Sequence, residues 1–116
     1  AQLDAGATLF VIPAAWPAAR VRHWTLLAHA RAIENQCVVV ACNTAGTHAG
    51  VEMGGHSQVV LPTGEVAAMA GRDEQVLSVE VDMNAVMDYR VTFPVLRDRR
   101  LPLRSTGALP APAEHL

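Results

Sequence analysis

The sequence predicts a layered α/β fold, a mixed sheet with two flanking helices, on three observations. An amphipathic helical stretch runs straight into a strand that has no polar alternation. A short apolar run precedes that helix, as in a βαβ unit. The second half alternates apolar and polar residues between turn signals. The uninterrupted apolar strand excludes a simple helical bundle.

Residues 1–6, AQLDAG, read as the last turn of a helix closed by Gly6, a residue that tolerates the positive φ found after a helix C-terminus. A helix end with no helix beginning, in a chain that does not open with methionine, is expected of a truncated sequence. Residues 7–12 form an apolar run stopping at Pro13 and read as a short buried strand. Residues 13–17, PAAWP, are a loop, and the main helix begins near Ala18 or Arg20. On it Val21, Trp24, Ala28 and Ala32 form one apolar stripe at spacings of three or four, while Arg22, His29 and Gln36 mark a polar line. The strand over 37–42, CVVVAC, must then be covered on both faces. If the two strands are parallel, ligands belong at their C-terminal ends, which places Ala14, Ala15 and Trp16 on one rim with Asn43 and Thr44.

A Gly-rich loop over 44–54 follows, with His48 and Glu52 at its tip. The strand over 55–61 puts Ser57 and Val59 on one face and His56, Gln58 and Val60 on the other. Residues 62–65, PTGE, carry Pro and Gly where β-turns favour them, so a strand over 66–70 should return antiparallel. After a second turn at 71–74, a strand over 75–81 places Leu77, Val79 and Val81 opposite Val76, Ser78 and Glu80, completing a meander. Asp82 is placed to cap a short helix over 83–91, with Val86 and Tyr89 or Arg90 on its packed side, and Pro94 ends it. One domain therefore spans residues 1–101, and the Pro- and Ala-rich stretch 102–116 is a tail with little capacity to form a core.

The chain has 116 residues, 51% hydrophobic and 17% charged, the composition of one globular domain. A formal charge of -2 gives no electrostatic case for nucleic acid or an anionic membrane surface. No stretch approaches the roughly 20 apolar residues of a membrane span. All nine basic residues are arginine. Cys37 and Cys42 lie five residues apart on one strand, too far for the Cα separation of about 7 Å that a disulfide tolerates, so reduced thiols and a cytoplasmic location are expected.

His23, His29, His48, His56 and His115 show no HxxxH, HExxH or CxxC spacing, so no metal site is expected. Cys42 at a strand end could act as a nucleophile with His56 as its base, but a free cysteine in an apolar strand ordinarily behaves as a small hydrophobe. Glu34 falls on a largely apolar helical line and calls for a partner, for which Arg31 one turn earlier is the local candidate. Trp16 either lines a pocket or plugs the end of the sheet.

The succession GATLFVIPAAWP, HWTLLAHARAIENQCVVVACN, GGHSQVVLPTGEVAAMAG, VLSVEVDMNAV and FPVLRDRR resembles the C-terminal half of the nitrilase superfamily of carbon-nitrogen hydrolases, in its amidase-like branch, over residues 1–101. The resemblance implies part of a four-layer α-β-β-α sandwich, usually dimerised, and hydrolysis of a small amide or nitrile substrate without a cofactor or metal. It implies a Cys nucleophile, a Glu general base and a Lys that stabilises the tetrahedral intermediate. None of the three falls within this chain: the matching positions lie upstream, no lysine is present, and Cys37 and Cys42 match ordinary strand positions. What the resemblance assigns here is the supporting shell. Ala14, Ala15 and Trp16 border the acyl pocket, Asn43 ends a strand on the same side, and Glu34 and Asn35 match a helix-end pair that braces the sheet and pocket wall. Half a sandwich exposes a sheet face, so self-association or pairing with the missing N-terminal half is expected. The alternative is a non-catalytic half-fold acting as a structural or interaction module.

Overall fold

A computed structural model describes residues 1–100. The expected tail, residues 102–116, lies outside the described residues. Strand β1 (Leu9–Ala14) leads through a 3-10 turn (Ala18–Arg20) into helix α1 (Val21–Asn35), which delivers the chain to β2 (Val38–Asn43). A small hairpin, β3 (Thr47–His48) and β4 (Val51–Glu52), precedes β5 (Gln58–Val60), β6 (Val66–Met69) and helix α2 (Met83–Thr92). The main sheet has the order β1-β2-β5-β6. β1 and β2 are parallel in the register Leu9↔Val38 to Ala14↔Asn43, and β5 and β6 continue antiparallel.

This is the expected mixed sheet between two helices. On one face Val39, Ala41 and Val60 pack with Trp24, Ala28 and Ala32 of α1, and Phe10 and Ile12 of β1 join them. On the other, Val38 and Val59 meet Val86 of α2. The stripe Trp24, Ala28 and Ala32 is the buried face of α1, as the spacing predicts. Small alanines let the helix backbone approach the sheet closely, with Trp24 filling the wider end. Arg22 is exposed and His29 half-buried, but Gln36 leaves the polar line. It lies beyond the helix end with left-handed backbone (φ 46°), is 1% exposed, and donates from Nε2 to Phe93 O at 2.7 Å.

Four expectations are corrected. The first strand does not stop at Pro13 but runs to Ala14. Thr8 O accepts from Val38 N–H and Ala14 O from Thr44 N–H just past β2, so the backbone of even residues faces the ladder and that of odd ones the open edge, where a missing N–H costs nothing. Nor is this strand fully buried: Leu9 and Val11 are 40% and 63% exposed, because the face opposite α1 is covered only where α2 reaches. The strand expected over 55–61 begins only at Gln58, since Gly55 and His56 both have φ near 60° and turn the chain out of extended geometry. Residues 75–81 keep their alternation but form no strand; alternation specifies faces, and no described strand pairs with this segment. The meander thus has one return instead of two.

Asp82 caps α2 as expected, its Oδ1 accepting from Asn84 N–H at 3.0 Å. Arg90, near the end of α2, then locks the first half of the fold to the second. Its Nε donates to Gln36 O at 2.9 Å, and its Nη2 donates to Ala7 O at 3.0 Å and Asn35 O at 3.2 Å.

Candidate functional site: the rim at the ends of β1 and β2

Parallel pairing in the register Ala14↔Asn43 brings the C-terminal ends of β1 and β2 together, so the rim expected from the sequence exists. It is built almost wholly from hydrogen bonds between distant segments. Thr44 donates to Ala14 O from both its N–H and its hydroxyl, each at 3.1 Å. The Asn43 carboxamide takes the next step along the loop: Oδ1 accepts from Trp16 N–H at 2.7 Å, while Nδ2 donates to Trp16 O at 3.2 Å and to Gly55 O at 2.9 Å. Gly54 N–H also donates to Trp16 O, at 2.9 Å. The Asn43 N–H donates to Ser57 Oγ at 2.9 Å. At 7% exposure Asn43 is buried with its polar atoms satisfied, as burial requires.

Trp16 does not point away as a free pocket wall. Its ring lies against Trp24 with centroids 6.1 Å apart and planes tilted by 43°, a favourable aromatic arrangement. The Trp24 indole N–H donates to His56 O at 2.9 Å, which ties α1 to the same turn. Gly55 sits at the crossing point. Its N–H donates to Thr44 O at 3.0 Å, and a Cβ there would lie 2.7 Å from both Gly71 O and Arg72 O. Only glycine lets the 54–56 turn pass this close to the 71–72 backbone.

Ala14, Ala15, Trp16 and Asn43 are therefore brought together, with Ala15 the exposed member. Glu34 and Asn35 are not among them. They end α1 next to the start of β2, a strand of six residues or roughly 20 Å from its Asn43 end. Glu34 pairs with Arg31 at 2.5 Å as expected, but this pair is about half exposed and not on a buried line. Asn35 contributes through its backbone, as one of the Arg90 acceptors. Thr44 stands on the rim where the sequence places it, whereas Ser57 and Gly55, which hold the Asn43 backbone and side chain, were not expected there.

The two thiols differ. Cys37 is fully buried on the α1 face, and desolvation pushes its thiol above the ordinary value, with the Arg90 charge offsetting part of that rise. Such a thiol is protonated at neutral pH and inert. Cys42 is exposed, and among the described residues no hydrogen bond joins it to His56, whose Nδ1 is 2.7 Å from Gly54 O. No group of three or more His, Cys, Asp or Glu side chains converges on a metal-sized site among the described residues, and none of the described helices is long and apolar enough to cross a membrane. Among the described residues, clefts elsewhere include one of about 260 Å³ between α2 and the 61–67 hairpin and an open groove of about 760 Å³ along the edge of β1.

A family model described as carbon-nitrogen hydrolase matches residues 5–91, a span that includes the whole rim. The chain is 44% identical over 111 residues to a 2-oxoglutaramate amidase of Paenarthrobacter nicotinovorans, covering 96% of this chain and 38% of that protein. It is 43% identical over 98 residues to a 2-oxoglutaramate amidase of Bacillus subtilis, covering 84% and 38%. The crystal structure of Saccharomyces cerevisiae Nit3, a member of branch 10 of the nitrilase superfamily, superposes with a TM-score of 0.76 at 33% identity, over 85% of this chain and 37% of that one. The backbone has the nitrilase-type α/β fold, and the chain spans less than two fifths of the length of these relatives.

Proposed function

The chain belongs to the carbon-nitrogen hydrolase family, and we propose that it is the C-terminal portion of an amidohydrolase whose Cys-Glu-Lys site is supplied by residues outside it. The substrate is a small, non-peptide amide, and the similarity to two 2-oxoglutaramate amidases points to the terminal amide of a 2-oxo acid. In this reading a thiolate attacks the amide carbonyl, ammonia leaves, and water releases the acid from the thioester. The observation that carries the proposal is the family match over residues 5–91, a span that contains Ala14, Ala15, Trp16 and Asn43, which hydrogen bonds gather into one rim. These residues border the acyl pocket. Of the pair expected to brace the sheet and pocket wall, Asn35 carries the support through its carbonyl, which accepts from Arg90. The enzyme works in the cytoplasm and requires no cofactor.

The partner is a second copy or the remainder of the polypeptide. Leu9 and Val11 are exposed on the sheet face opposite α1, and Leu26, Leu27 and Ile33 are 56%, 43% and 50% exposed on the outer side of α1. That much apolar surface supports association, and a stable monomer in sedimentation at micromolar concentration would count against it. The same surface suits the second reading, a non-catalytic interaction module. Ammonia release from 2-oxoglutaramate separates the two. The intact polypeptide carrying this segment is expected to hydrolyse it and to keep its rate in Cys42→Ala, whereas the 116-residue chain does not turn over. Cysteine-dependent hydrolysis by the 116-residue chain would overturn the assignment of the site, and an inert intact polypeptide would favour the module.

A further inference from the structure

We infer that Asn43 is a positioning residue: its carboxamide fixes Trp16 against Trp24 and thereby fixes the Ala15 peptide at the rim. The carboxamide spends its N–H groups on Trp16 O and Gly55 O, and its oxygen on Trp16 N–H. No donor remains to meet a substrate, so Asn43 acts through what it holds. It reaches both the N–H and the C=O of one residue 27 positions earlier in the chain, which sets the position and the rotation of that peptide pair. Thr44 holds Ala14 O on the other side of Ala15. Ala15 is thus an exposed residue between two clamped neighbours, and the rim is a preformed shelf. Its role at an acyl pocket rests on the function proposed above; the clamp itself does not.

Two readouts test the clamp without any assay of activity. In wild-type protein the Trp16 amide should exchange its hydrogen at least a hundredfold more slowly than an open loop amide, because its acceptor is a buried side chain. Exchange at the open-loop rate overturns the proposal even if no variant folds. In Asn43→Ala with far-UV dichroism unchanged, the near-UV signal of the Trp16–Trp24 pair, the only two tryptophans, should fall by half or more. An unchanged pair signal overturns the proposal. In the intact enzyme, Asn43→Ala should raise KM for the amide tenfold or more with kcat within threefold. Unchanged KM with the pair signal lost would remove the link to the pocket, and an intact wild-type polypeptide with no amidase activity would refute the function while leaving the clamp to stand on exchange and dichroism.

Discussion

Gly55→Ala should be far more destabilising than its single added methyl group suggests. Two penalties meet at this position. The residue has φ +59°, a conformation that costs an L-residue about 1 kcal/mol. The new Cβ would also stand 2.7 Å from Gly71 O and from Arg72 O, which are backbone atoms and cannot swing aside as a side-chain tip would. The 71–72 segment is itself anchored, with Gly71 O accepting from His56 N–H at 2.9 Å and Gly71 N–H donating to Gln75 Oε1 at 3.0 Å. Overpacking of this kind costs about 1–3 kcal/mol, giving a total of about 2–4 kcal/mol. Gly50→Ala supplies the control. Gly50 has φ +78° in the β3–β4 turn, with nothing within 4 Å of a built Cβ, so it carries the conformational cost alone, about 1 kcal/mol. Equilibrium urea unfolding of both variants reads the difference as a shift in midpoint at constant slope. In thermal melts Gly55→Ala should lower Tm by roughly 10–25 °C. Equal destabilisation by the two substitutions would refute the close approach of the 54–56 turn to the 71–72 backbone.

The remaining predictions concern the interior. Under native conditions a thiol reagent should modify Cys42 alone, with Cys37 becoming reactive only in denaturant, and mass spectrometry of the labelled chain checks this. Because burial raises the Cys37 pKa, raising the pH to 8.5 should not expose it to reagent; prompt double labelling would contradict its burial. Arg90→Ala strands three carbonyls, those of Ala7, Asn35 and Gln36, and should cost about 2–4 kcal/mol by chemical unfolding. Arg90→Lys should recover less than half, since an ammonium lacks the planar fork that reaches three acceptors. Val86→Ala removes the buried anchor of α2, 2% exposed, and should cost about 2 kcal/mol in the same assay.

Much of the fold was legible because its strongest elements carry their own periodicity. The α1 stripe and the unbroken β2 run each specify which faces are buried, and Asp82 and Pro94 mark the start and stop of α2. What failed was local geometry set by remote partners. Pro13 reads as a strand terminator until β1 is known to be an edge whose odd residues face away from β2. Residues 55–56 read as strand until the approach of 71–72 requires a turn there. Residues 75–81 carry a strand pattern that no described neighbour pairs with. The rim was legible at the level of topology, since parallel strands gather their C-terminal ends. The clamp was not, because an Asn side chain that bonds a backbone 27 residues away depends on the register Ala14↔Asn43, which no local pattern records.

The outer side of α1 shows why one stripe was read where two exist. Leu26, Ala30 and Ile33 recur at helical spacing, with Leu27 beside them, and they are at least as apolar as the line that is buried. The sheet nevertheless takes Trp24, Ala28 and Ala32. Van der Waals contact between a helix backbone and a flat sheet favours small side chains at the crossing, and two alanines meet that demand where leucines would hold the layers apart. Leu26 and Leu27 are left outward, while Ile33, half exposed at the end of the helix, lies against Gly64 in the β5–β6 turn. A helix with apolar residues on opposite sides is suited to lie between two bodies, one of them the sheet. The same reasoning applied to Leu9 and Val11, which face away from α1 on the strand bordering the rim, places the second demand for cover on the sheet face itself. The two uncovered surfaces lie on opposite sides of the sheet, so a single flat partner could satisfy only one of them.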